Sequence, residues 1–294
     1  MAIKAKIEHY VPRFYLSNFS IFQAKKHLLN CFDKVQGKSF RVDIANIAAE
    51  RRFYDEASDV NQSVEKTLGN YESVFNAAYE RLLKFKNFRV LKKAERNAII
   101  FFIASQEVRT REFRESLKDS ITQLSKRLSR ENLSEDFRKQ MKEAQTDESV
   151  KSLQVDILRE QVPTYAAIMA KMKWVIMENR TSSPLWTSDH PVNRVNFIDH
   201  SPYGSLGLLK TGIQIHFPLN STLVLCLCDP VTFRHFPDRL EIADPQNVVF
   251  QNSLQVNQST RHVFSVDDNF ALAERMIKDN PELRRVDRKR HDVR

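Results

Sequence analysis

Two short segments far apart in the chain carry the residues best suited to chemistry: His9-Tyr-Val-Pro-Arg-Phe-Tyr-Leu-Ser-Asn-Phe19 and Thr187-Ser-Asp-His-Pro-Val192. A histidine titrating near neutral pH can act as general base, metal ligand or phosphate contact. An aspartate can orient an imidazole, bind a metal, or serve as base or nucleophile. Pro12 and Pro191 stiffen the backbone beside them and push the preceding residue to extended conformations. His9 and the Asp189/His190 pair are therefore expected to be presented from rigid, non-helical chain, with His9 and Asp189 in one concave polar pocket. The structural use of the same residues is a turn: His9 as a cap, and Ser188 and Asp189 accepting from nearby backbone N–H groups.

A helical stretch supplies the second set. Gln106 and Arg109 stand at i, i+3 on one face, directly after the apolar run Ala98–Ala104. They suit a phosphate or carboxylate, or an internal ion pair with an acid such as Glu72. Glu65 and Glu72 share a face of the preceding helix and carry the same two readings. The sequence contains no Walker loop, GxGxxG, HExxH or GxSxG. Gln214-Ile-His216 is only a distant echo of a restriction-type nuclease strand.

The elements that must position these residues read as an α+β fold. Residues 27–33 and 39–43 flank a turn at Gly37 and predict a β-hairpin. From Ser63 the pattern Leu68, Tyr71, Phe75, Ala78, Tyr79, Leu82 has helical spacing. Lys92–Leu128 lacks Gly and Pro and predicts one long helix, and Ser149–Met177 continues the helical region, kinked or split at Pro163. Beyond Pro184, residues 185–188, 212–217, 222–228 and 262–266 read as strands, with helices at 244–260 and from Asp267. The expected organisation is one domain over 1–283 with a helical middle at 62–180 and a β-rich part at 184–266. The N-terminal hairpin and C-terminal strands should share one small mixed sheet.

The chain has 294 residues and a formal charge of +9. Six Lys/Arg against two Asp in residues 284–294 place +4 of that charge in a basic tail. Such a tail favours polyanions, so nucleic acid is the expected partner. Three cysteines (Cys31, Cys226, Cys228) form no disulfide framework or zinc spacing, which points to a reduced cytoplasm. The longest apolar run is about a third of a membrane span, and no secretory signal opens the chain.

The ordered set of motifs resembles the bacterial proteins grouped as domain of unknown function 4238. The likeness rests on His9-x-x-Pro12-x-x-Tyr15-Leu16-x-x-Phe19, Glu50-Arg-Arg-Phe-Tyr54, Glu65 with Glu72, Gln106-x-x-Arg109, Ser188-Asp189-x-Pro191-Val192, Phe217-Pro-Leu219, and Asn252 with Arg261-His-Val-Phe-Ser265. Where that family usually has Asn, this chain has His190. The resemblance implies a single domain whose polar positions converge on one pocket, and it implies no activity.

Taken together, these features lead to an expected enzyme that hydrolyses nucleic acid or a nucleotide, or removes a base, in a phage-defence or toxin setting. His9, Asp189 and Glu72 are the expected catalytic groups, and Tyr15, Gln106, Arg109, Asn252 and Arg261 the substrate contacts. A divalent metal is compatible with this set. The rival readings are a non-enzymatic protein- or nucleic-acid-binding module and a small-metabolite hydrolase.

Overall fold

A computed structural model describes residues 7–54, 63–129, 134–198 and 206–290. The chain opens with β1 (Ile7–His9), α1 (Arg13–Leu16), β2 (Ile21–Gln23), β3 (Lys26–Asp33), β4 (Lys38–Asp43) and β5 (Ala49–Arg51). Then come α2 (Ser63–Phe85), α3 (Lys93–Val108), α4 (Arg111–Leu128), α5 (Glu135–Ala144), α6 (Asp147–Glu160) and α7 (Val162–Met169). The remainder comprises β6 (Lys173–Asn179), β7 (Thr187–Ser188), β8 (Asn193–Val195), β9 (Gln214–Asn220), β10 (Leu223–Cys228) and β11 (Arg239–Ile242). It closes with α8 (Pro245–Gln258), β12 (His262–Ser265) and α9 (Ala271–Asp279).

The α+β class holds, but the single sheet does not. The hairpin β3–β4 does join C-terminal strands, in the order β2-β3-β12-β7 with β4 on β3. The other C-terminal strands form a second sheet, β11-β6-β10-β9-β8, in which β11 runs parallel to β6. β1 and β5 pair separately. The hairpin turn is as read, with Gly37 at φ +68°, a backbone that glycine adopts without steric cost.

Two helix readings are corrected. Residues 173–179 form β6, buried between β10 and β11. A run such as Trp-Val-Ile-Met shows no strand alternation when both sheet faces are covered, so periodicity alone cannot separate it from helix. The long helix over 92–128 is broken at Arg109 and Thr110. Thr110 turns extended (φ −92°, ψ 163°) and its hydroxyl caps α4 by accepting from Phe113 N–H. Gln154 of α6 donates to Val108 O (2.7 Å) and Thr110 O (2.9 Å). That takes up carbonyls the break would leave orphaned. The last helix also starts at Ala271 rather than Asp267.

The main core is aromatic. Phe75 of α2 stacks on Phe102 of α3 at 3.7 Å between centroids, and Tyr15 stacks on Phe217 of β9 at 5.0 Å. Phe102 also meets Phe217 at 6.2 Å, which joins the helical middle to the second sheet. α8 lies between the sheets, sending Val248 into one small cluster and Val256 into another.

Candidate functional site

The break between α3 and α4 is the junction of the polar network. Arg109, 3% exposed, donates from Nη1 to Glu72 (2.7 Å), from Nη2 to the His9 carbonyl (2.8 Å), and from Nε to the Tyr54 hydroxyl (3.2 Å). Tyr54 O–H donates back to Arg109 O. Burial opposes the guanidinium charge, but Tyr54 and Glu72 outweigh it and hold the Arg109 pKa above its usual value. Gln106 donates to Tyr10 O at 2.9 Å. The four residues thus tie β1 and α2 to the end of α3, and no free anion site remains on Arg109. His9 is brought here by its backbone. Burial, then Arg13, lowers its pKa, and its Nε2 is buried without a partner.

Asp189 sits apart from this group. Its Oδ1 accepts from Thr260 N–H and its Oδ2 from Arg261 and His262 N–H, each at 2.8 Å. With the side chain 1% exposed, it fixes the turn entering β12. The carboxylate thus accepts from backbone as a structural residue does, but from N–H groups 71–73 residues away rather than in a local Asx-turn. Arg261 forks onto Asp33 Oδ2 (2.6 and 3.0 Å). Asn252 holds Trp186 N–H and Pro184 O. Tyr15 is fully buried, with its hydroxyl between Thr187 Oγ1 and Pro218 O, both at 2.8 Å. Burial pushes that phenol pKa up, so it stays neutral. None of His9, Tyr15, Glu72, Gln106, Arg109, Asp189, Asn252 or Arg261 lines the cavities of about 940, 670 and 630 Å³. The expected shared pocket of His9 and Asp189 is replaced by two internal networks, adjacent at the helix break. The structural requirement is local: short strands β1, β7 and β12 need side chains to complete their backbone bonding.

The basic tail is partly internal. Arg288 Nη2 reaches Glu112 Oε1 at 2.7 Å, and Arg290 forks onto both Glu112 oxygens at 2.8 and 3.0 Å. Thr260 Oγ1 donates to the same carboxylate (2.9 Å). Burial disfavours the Glu112 charge, yet Arg290 and Arg288 prevail and lower its pKa. Residues 288–290 therefore pack on α4 rather than trailing free, and 291–294 lie outside the described residues.

Beside these networks opens a cavity of about 940 Å³. His190, Arg194, Tyr165 and Leu208 lie in its wall with Glu107 and Glu112, the latter two from the flanks of the helix break. Its charged lining is Arg194, Lys210, Arg288, Lys289 and Arg290 against Glu107, Glu112 and Glu282, or +5 and −3. Glu107 is held by Arg194 at 2.5 Å. Thr110 Oγ1 fixes His190 Nδ1 at 2.7 Å. Burial lowers the His190 pKa despite the nearby Glu112 and Glu107, so the imidazole is neutral at pH 7 and able to take up a proton. Sequence reasoning placed His190 beside Asp189 on stiff backbone suited to a site, but set it aside as a catalytic residue because the family usually has Asn there. Glu107, Arg194 and Glu112 carried no signal, because helix glutamates are usually solvated.

One more grouping bears on cofactors. His216, Cys226 and Cys228 cluster in the second sheet, with Cys226 Sγ 3.7 Å from His216 Nε2 and 3.4 Å from Cys228 Sγ. Among the described residues, no group of three or more His, Cys, Asp or Glu is arranged to hold a metal ion, and no helix is long and apolar enough to cross a membrane.

The motifs traced above run through nearly the whole chain in a fixed order. The sequence family described as "Protein of unknown function (DUF4238)" matches residues 8–269. The chain belongs to that family. No curated protein and no solved structure matches it. In this DUF4238 protein, the motif residues that carry the family likeness are largely those of the Arg109 and Asp189 networks.

Proposed function

We propose that the protein binds a nucleotide or nucleic-acid substrate in the cavity beside His190 and hydrolyses it there. The observation that supports this reading is a neutral imidazole, held at Nδ1 by Thr110, in the wall of a cavity with excess positive charge. Phe113, Tyr165 and Leu208 give that wall apolar surface for a base or sugar, and Lys210 and Lys289 add positive charge to it. His190 accepts a proton from water or a hydroxyl as the nucleophile attacks, a role matched to a pKa below neutrality. Arg288 and Arg290 are saturated by Glu112 and serve as walls rather than substrate clamps.

A second reading is a non-enzymatic binding module for nucleic acid or protein. It is favoured by the full internal engagement of Arg109 and Asp189, the two residues best suited by type to catalysis. One experiment separates the two: incubation of the protein with nucleoside mono-, di- and triphosphates and with single-stranded RNA and DNA, products resolved by chromatography. Turnover supports the enzyme. Saturable binding with no product across the panel supports the module, and neither binding nor product refutes both.

A further inference from the structure

A second cavity, about 630 Å³, opens at the other end of α3, between that helix and the start of β6. Its charged lining is Arg89, Lys93, Arg96 and Lys173 against the single carboxylate of Asp238. Asp238 is already committed: Arg89 Nε lies 2.5 Å from Oδ2 and Lys173 Nζ 3.8 Å from Oδ1. Lys93 and Arg96 have no acidic partner among the described residues, and Arg96 Nε is buried with no acceptor at all. The guanidiniums of Arg109, Arg288 and Arg290 each have a carboxylate, whereas the half-buried Arg96 has none. A buried guanidinium N–H without an acceptor costs free energy that an anion would restore.

Position and shape identify the anion. Lys93, Arg96, Asn97 and Ile100 follow one face of the first two turns of α3, the end where the helix dipole favours negative charge. The wall beside these cations is aromatic, with Phe88 and Trp174 5.5 Å apart between centroids and the Arg96 guanidinium 5.2 Å over Phe88. Cations beside a flat apolar wall match a phosphate joined to a planar base. We propose that this cavity is a nucleotide-phosphate site, with Lys93 and Arg96 on the phosphate and Trp174 and Phe88 against the base. It is distinct from the His190 cavity: residues 96 and 107 of α3 are about 16 Å apart at a rise of ~1.5 Å per residue. The proposal stands whether or not His190 is catalytic.

The test uses the full chain carrying Trp186→Phe, which leaves Trp174 as the only tryptophan. Its fluorescence is followed on titration with adenosine monophosphate, adenosine, inorganic phosphate, and a short oligothymidylate with and without a 5′-phosphate. Saturable quenching by the monophosphate is expected, reversed by phosphate and at least tenfold weaker for adenosine. Arg96→Met should weaken binding about tenfold or more, and Lys93→Met several-fold. Tighter binding of the 5′-phosphorylated oligomer than of the monophosphate identifies a strand end as the source, and equal or weaker binding a free nucleotide. Should Arg96→Met fail to fold, the exposed Lys93→Met and the phosphate competition carry the test. No saturable quenching, equal binding of adenosine, or unchanged affinity in both variants overturns the proposal.

Discussion

Replacing Asp189 by Asn removes the charge while nearly conserving volume, so its consequence follows from the three N–H groups that surround the carboxylate. Oδ1 serves Thr260 and Oδ2 serves both Arg261 and His262. An amide has one oxygen. Turned toward the Arg261 and His262 pair, it presents its NH2 to Thr260 N–H, and turned the other way it abandons two donors. One buried N–H left unsatisfied costs about 1–3 kcal/mol, and two bonds fall from charged to neutral strength, about 1 kcal/mol each. The expected loss is about 3–5 kcal/mol. At roughly 2 °C per kcal/mol for a chain of this size, the melting temperature should fall by about 6–10 °C, read by differential scanning calorimetry beside the wild type. Amide exchange at residues 260–265 should rise as well, because β12 is entered through this turn. An Asp189→Asn protein that melts within about 1 °C of wild type while losing its activity would refute the argument and return Asp189 to catalysis.

Arg109→Ala should cost about 3–5 kcal/mol by stranding Glu72 and the His9 carbonyl, and Arg109→Lys should not restore it, since one ammonium cannot serve three partners set by a planar fork; thermal melts check both. Glu112→Gln leaves Arg288 and Arg290 short of their carboxylate, so limited proteolysis should release residues 284–290 in that variant and not in wild type. His216 is fully buried and its pKa is lowered to about 4 by burial, against a hydrogen bond to Gln251 that raises it. Because the unfolded chain takes up that proton below 6.5 and the folded chain does not until about 4, stability should decline as pH falls through that window, by about 3 kcal/mol from this residue; His216→Gln should flatten denaturation midpoints measured from pH 7 to 4.

Much of the scaffold was legible because local chemistry and tertiary use agree. The hairpin at Gly37, the strands at 214–220 and 223–228, and α8 with its Asp244 cap announce themselves through turn glycine, β-branched content and capping. β6 was not legible, since a strand covered on both faces has no period to detect. The helix break was hidden for a related reason: Arg109 and Thr110 are acceptable inside a helix, and only Gln154, from a distant helix, makes the break stable. Polar type identified the residues of the two networks but not their use. Arg109, Glu72 and Asp189 would look the same in sequence on a substrate, and what decides is whether backbone donors and carboxylates enclose them. His190 stood in plain view within the Ser188-Asp189 motif. Its exposure to a cavity depends on Arg194, Glu107 and the returning residues 288–290, none adjacent to it in sequence.

The division of labour between buried networks and the His190 cavity is tested most directly by the hydrolysis rate of His190→Gln, measured with its melting temperature on the substrate that the nucleotide and nucleic-acid panel identifies. Loss of the Thr110 contact costs about 1 kcal/mol, so the variant should melt within a few degrees of wild type, while its rate falls about 10²–10⁴-fold, the usual worth of a general base. A His190→Gln protein that stays folded and turns over at the wild-type rate would contradict the account.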